Sequence, residues 1–130
     1  MKSVFLKNIS AEIQLLNDGK PLEAIDSFYS DDIIMYDNDQ VFADGLTESR
    51  SKQEPFIKAA KSISGNIVDL VIDEVNEVAI FLNKSQFINS AGKVFQINGL
   101  CWQQWKEGKV SEERYYTGEL MKTKLIEFYN

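Results

Sequence analysis

The sequence predicts an α+β domain, a cone in which three N-terminal helices pack on a curved, mainly antiparallel sheet. Three observations predict it. Apolar residues recur at helical spacing through the first half of the chain. From Ile67 onward the period changes to two. The stretch Leu100–Gly118 then sets two amphipathic, aromatic-rich strand patterns around Lys106-Glu107-Gly108-Lys109, a turn holding the glycine a short hairpin needs. Helices first and strands last gather the helices on one face of the sheet.

Phe5, Ile9, Ile13 and Leu16 form the first helical stripe, and Gly19 stands where a C-terminal cap belongs. Pro21 opens a second, short helix with Leu22, Ile25, Phe28 and Tyr29 on its apolar side. Ile33-Ile34-Met35-Tyr36 reads as a short strand entering the acidic loop Asp37-Asn38-Asp39. A third helix is expected from about Ser51, where Ser51 and Glu54 have capping-box spacing, through Phe56, Ile57 and Ala60 to Ile63, with Gly65 ending it. Four strands follow, Ile67–Val75, Val78–Ile88, Lys93–Trp105 and Val110–Gly118, as an antiparallel meander. The segment Glu119–Asn130 carries Leu120, Leu125 and Phe128 at roughly helical spacing, as a terminal helix or a segment docking on a partner subunit.

The 130 residues suit a single domain (1–130) with 119–130 as an extension, long enough to bury about two-thirds of its unfolded surface. A formal charge of −6 argues against a nucleic-acid partner, whose phosphates call for a basic surface. One cysteine excludes an internal disulfide and zinc-ribbon spacing. No apolar run is long enough for a signal peptide or a membrane span, so a cytoplasmic protein without a membrane partner is expected. The chain contains no histidine, which removes histidine-activated serine or cysteine nucleophiles and histidine-based metal sites. Neither a metal nor a cofactor is expected. Any catalysis falls to a carboxylate made more basic by an apolar cavity.

Glu23-Ala24-Ile25-Asp26-Ser27-Phe28-Tyr29-Ser30-Asp31-Asp32, followed by Asp37, resembles the second helix and first strand of ketosteroid isomerases, with their E-A-I-x-x-x-Y-x-D-D-x-x-x-x-D pattern. The Trp105…Gly108-Lys109-Val110…Tyr115 hairpin resembles the SnoaL-like branch of the nuclear-transport-factor-2-like superfamily. The likeness runs from about Ala11 to Gly118 and implies a cystatin-like roll. It implies Asp37 as the carboxylate that moves a proton next to a carbonyl, and Tyr29 as a buried member of the hydrogen-bond network. The family's oxyanion-holding tyrosine is replaced by Glu12, and its second donor, a carboxylic acid, by Cys101. A thiol is a weak donor, and losing one oxyanion donor costs about 10²–10³ in rate, so steroid isomerisation by that route is not expected.

Alternation puts Gly99, Cys101, Gln103 and Trp105 on one face, which the resemblance places inside the cone. The hairpin register adds Glu113, Tyr115 and Thr117. The expected ligand site is therefore Glu12, Met35, Phe56, Cys101, Gln103, Trp105, Glu113 and Tyr115, with Asp37 as candidate general base beside Tyr29. Blander readings stand next to it. Asp37 also reads as a turn carboxylate, Glu12 as solvated, Cys101 as a small buried hydrophobe, and Trp105 and Tyr115 as core aromatics. Two functions fit: a protein binding a small apolar molecule in the cone cavity, with carboxylate-dependent isomerase or lyase chemistry open to it, or a non-catalytic homodimeric interaction or scaffold domain. A homodimer is expected in either case, because Leu100, Trp102 and Tyr116, with Ile80 or Leu82, crowd the opposite sheet face.

Overall fold

The structure, a computed structural model, describes residues 3–129. Helix α1 spans Val4–Asn17, and the Ser3 hydroxyl oxygen accepts from the Leu6 N–H at 3.1 Å to cap it. Its buried stripe is Phe5, Ile9 and Glu12, so a carboxyl group sits on the face that packs inward. Gly19 closes the helix with φ +73°, and a Cβ there would lie 2.2 Å from the Ile63 carbonyl oxygen. Glycine at this point permits both the left-handed turn and the close approach of the helix end to the chain beyond.

Helix α2 spans Pro21–Phe28 with Pro21 in its first turn. Tyr29, expected on its apolar side, has already turned extended and is the first residue of strand β1, Tyr29–Asp37. Strand β2, Gln40–Asp44, pairs back on β1 through Asn38 and Asp39, both at positive φ. The expected acidic loop is thus a two-residue hairpin, which Asn and Asp can make because they tolerate the left-handed region.

Helix α3 spans Leu46–Lys58 and begins after Gly45, well before Ser51. Ser51 and Glu54 form no capping box: the Ser51 hydroxyl donates to the Glu48 carbonyl, and Glu54 pairs with Arg50 and Lys58. Nor does the helix reach Ile63. Ala60–Ser64 is strand β3, because pairing with a distant strand satisfies its backbone in a way helical spacing cannot reveal.

The four expected strands become six: β4 Ile67–Asp73, β5 Val78–Asn83, β6 Gln86–Asn89, β7 Val94–Gln96, β8 Gly99–Lys106 and β9 Lys109–Tyr116. Two of them break where the chain changes sheet. Ser85 pins that corner: its hydroxyl accepts from the Asn66 N–H at 3.0 Å and its carbonyl from the Ile97 N–H at 2.8 Å. The large sheet has the order β2-β1-β9-β8-β5-β4, and β3-β6-β7 form a small second sheet. β1 runs parallel to β9, so the sheet is mixed, mostly antiparallel, rather than a pure meander.

Apolar side chains gather on both faces of the large sheet. On the inner face Phe5, Ile9, Ile25, Ile33, Trp105 and Val110 join α1 and α2 to the strands. On the outer face Leu82, Leu100 and Tyr116 pack with Met121 of helix α4, Gly118–Tyr129, and with its Leu125 and Phe128. The terminal segment is therefore a helix folded back on its own sheet. It covers part of the surface expected to be open for a second copy, while Trp102 and Ile80 stay half-buried. No helix among the described residues is long and apolar enough to cross a membrane.

Candidate functional site

The alternation of β8 and β9 carries the site. Gly99, Cys101, Gln103 and Trp105 all turn inward and are buried. Antiparallel pairing sets Gln103 opposite Glu113 and Cys101 opposite Tyr115. Parallel pairing brings Met35 beside Glu113 and Asp37 beside Tyr115. Between this wall and helices α2 and α3 lies a cavity of about 470 Å³.

Of the residues expected there, Tyr29, Met35, Phe56, Cys101, Glu113 and Tyr115 line the cavity, and Asp37 stands on it with its side chain exposed. Phe56 is 59% exposed and stacks on Phe87 with ring centroids 4.5 Å apart. Three others are not at the wall. Trp105 is sealed at the narrow end between Phe5 and Phe28, with ring centroids 5.9 and 6.1 Å away, so it is a core aromatic and not a stacking surface for a ligand. Gln103 and Glu12, both 0% exposed, lie behind the wall. Not foreseen at the cavity from the sequence are Leu16, Ile25, Phe42, Ile57, Ile63, Phe81, Phe87 and Ile97, which supply most of the apolar lining, and the polar Lys52, Gln53, Asn83 and Ser85. Strand periodicity marks Phe81 and Phe87 as inward-facing candidates; the small sheet that brings Phe87 to the cavity is a long-range event.

The polar centre behind and beside the cavity is one connected network. Tyr29 Oη donates to Glu113 Oε2 at 2.6 Å, and Gln103 Nε2 donates to the same oxygen at 2.7 Å. Gln103 Nε2 also reaches Glu12 Oε2 at 3.1 Å, while Gln103 Oε1 accepts from Trp105 Nε1 at 3.0 Å. Glu12 Oε1 is buried without a hydrogen-bond partner. No ion pair among the described residues involves either glutamate.

Burial dominates the electrostatics. Desolvation pushes the Glu12 carboxyl well above the usual carboxylate range, the neighbouring Glu113 adds to it, and the Gln103 hydrogen bond offsets part. Glu113 is also raised by desolvation, partly offset by its donors Tyr29 and Gln103. Burial likewise pushes up the Tyr29 and Tyr115 phenols and the Cys101 thiol, with nearby carboxylates adding to each, so Cys101 stays protonated. The buried carboxyl group on the cavity wall is thus Glu113. It is 8% exposed and lines the cavity, and its Oε1 takes no hydrogen bond among the described residues.

No family model matches the sequence, and no curated protein matches it. Solved structures do match. One is a protein from Mesorhizobium loti assigned as a SnoaL-like polyketide cyclase, 19% identical, with a TM-score of 0.70 over 86% of this chain and 97% of that one. A nuclear-transport-factor-2-like protein of unknown function from Burkholderia pseudomallei is 8% identical, with a TM-score of 0.70 over 96% of this chain and 97% of the other. A cystatin-fold protein from Novosphingobium aromaticivorans is 14% identical, with a TM-score of 0.67 over 88% and 98%. The chain has the α+β fold that SnoaL-like and nuclear-transport-factor-2-like proteins share, as the motif around Tyr29 and the β8–β9 hairpin led one to expect.

Proposed function

We propose that the cavity binds a small, largely apolar molecule, and that Glu113 is the group that meets its polar end. The supporting observation is a desolvated carboxyl group, with one oxygen unengaged, on the mostly apolar wall of a cavity of about 470 Å³ that also carries Lys52, Gln53, Asn83 and Ser85. Such a site favours a ligand that offers a hydrogen-bond donor or an acidic C–H to Glu113 and apolar surface to Phe81, Phe87 and Ile97. Where the ligand carries a carbonyl, Glu113 takes the proton from the adjacent carbon and the Tyr115 hydroxyl donates to the oxygen that gains charge. Returning the proton elsewhere on the molecule completes an isomerisation; loss of a β-substituent completes a lyase reaction. Fold likeness to proteins assigned as polyketide cyclases supports ligand binding by analogy alone.

The base is thereby moved from Asp37 to Glu113, since Asp37 is exposed at the cavity edge and Glu113 is buried in the wall. Native mass spectrometry of the purified protein, with titration of an anilinonaphthalene sulfonate probe, tests it. A copurifying small molecule or a saturable probe signal is expected, and Cys101→Phe, which fills the cavity, should abolish it. Loss of neither signal in that variant, or no binding at all, would overturn the reading in favour of a non-catalytic interaction or scaffold domain.

A further inference from the structure

We propose that Glu12 is a positioning residue for Glu113: an acid that keeps its proton when Glu113 ionises and, through the Gln103 amide, confines the first negative charge of the pair to the carboxylate facing the cavity. The role given to Glu113 rests on the functional reading above; the division of charge can be measured on the ligand-free protein.

The geometry of Gln103 carries the inference. An indole N–H can only donate, so Trp105 Nε1 at 3.0 Å turns the oxygen of the Gln103 amide toward itself. The NH₂ end must then face the two glutamates, donating to Glu113 Oε2 at 2.7 Å and Glu12 Oε2 at 3.1 Å. Glu113 receives a second donor in Tyr29; Glu12 receives none, and its Oε1 is orphaned. Two carboxylates buried side by side, with no cation among the described residues paired to either, cannot both be ionised, because each unpaired buried charge is costly and the two repel. The donors decide which one keeps its proton. Glu113, with two, carries the charge; Glu12, with one, stays an acid.

The titratable groups bearing on the pair are few. From β1 there is the Tyr29 phenol, and from β8 the Cys101 thiol, both protonated in the neutral range by burial. From β9 comes Glu113 itself, followed by Tyr115, whose phenol is raised in the same way. None of these supplies positive charge. The cavity wall beside Glu113 also holds exposed Asp37 of β1 and exposed Lys52 of α3, and the Lys52 ammonium is engaged elsewhere, donating to the Phe42 carbonyl and pairing with Glu48. Glu12 stands in the first helix with no atom on the cavity wall, so it acts only through Gln103 and Glu113.

Carbon-13 NMR of side-chain-labelled glutamate on the ligand-free protein, titrated from about pH 3 to 10, tests this. In the wild type, Glu113 is expected to ionise first and Glu12 in a separate step at least ten-fold weaker in acidity. In Glu12→Gln the second step should vanish while Glu113 still titrates. In Gln103→Leu, which removes the shared donor, the Glu113 step should move to higher pH. Ionisation of Glu12 before Glu113, or a Glu113 step unmoved by Gln103→Leu, would overturn the proposal. The wild-type titration decides the order even if a variant does not fold. Probe binding without this order sinks the positioning role alone; this order without probe binding sinks the functional reading alone.

Discussion

The ring of Tyr115 occupies the space that a side chain on Gly99 would take: a Cβ at Gly99 would lie 2.1 Å from Cε1 and Cζ of Tyr115 and 2.2 Å from its hydroxyl oxygen. The two residues lie on neighbouring strands of the cavity wall, one register step apart diagonally. Absence of a side chain at one position thus sets the pose of an aromatic at the other, and with it the shape of the wall around Glu113.

Gly99→Ala should therefore push Tyr115 into the cavity or out of its pose. A loss of about 1–3 kcal/mol, the usual cost of overpacking, is expected in chemical denaturation, together with weaker probe binding. Tyr115→Leu in the same chain should recover part of the stability, because the pair shares one space. Additive losses in the double variant would show that the contact is not shared.

The raised Glu12 carboxyl predicts a pH dependence of definite sign. Above its ordinary value of 4.5 the unfolded chain gives up that proton while the native chain keeps it, so stability falls as pH rises toward the native pKa. Glu12→Gln removes this penalty. The variant should match the wild type near pH 4 and become progressively more stable than it toward pH 8, as read from paired urea melts. A constant difference across that range would rule the account out.

Tyr29→Phe removes one of the two donors to Glu113 Oε2. A hydrogen bond to a charged acceptor is worth about 1.5–3 kcal/mol, and that loss is expected on the alkaline side of the Glu113 titration. The loss should shrink as pH falls through the Glu113 titration, since the neutral acid depends less on the donor. An equal loss at both ends of the range would make Tyr29 a packing residue only.

Helix α4 covers Leu100 and Tyr116, and Tyr116 packs against Phe128 with ring centroids 6.4 Å apart. Met121→Ala should cost about 2–5 kcal/mol, as for other buried large-to-small changes. Half-buried Trp102 and Ile80 remain beside that helix as the proposed contact for a second copy. Light scattering at micromolar concentration should give a dimer that Trp102→Glu converts to monomer; a monomeric wild type removes the dimer.

Local chemistry was enough to make the class of fold, the first helix, the β8–β9 hairpin and the inward set Cys101, Gln103, Glu113 and Tyr115 legible from the sequence. Helical and strand periods are properties of neighbouring residues. The two-residue turn by itself would set Glu112 opposite Gln103, and the bulge beside Trp105 shifts the pairing by one so that Glu113 stands there instead. Tertiary structure alone decided the rest. Parallel pairing of β1 with β9 carried Asp37 to the exposed edge of the cavity, and the small sheet cut two expected strands short and ended α3 early. Trp105 went to the core because Phe5 and Phe28 close over it. Glu12 and Gln103, 91 residues apart, met only when α1 packed on the sheet. No local pattern distinguishes a glutamate that will be solvated from one that will be sealed, because the energy that raises its pKa comes from neighbours that the folded chain brings to it.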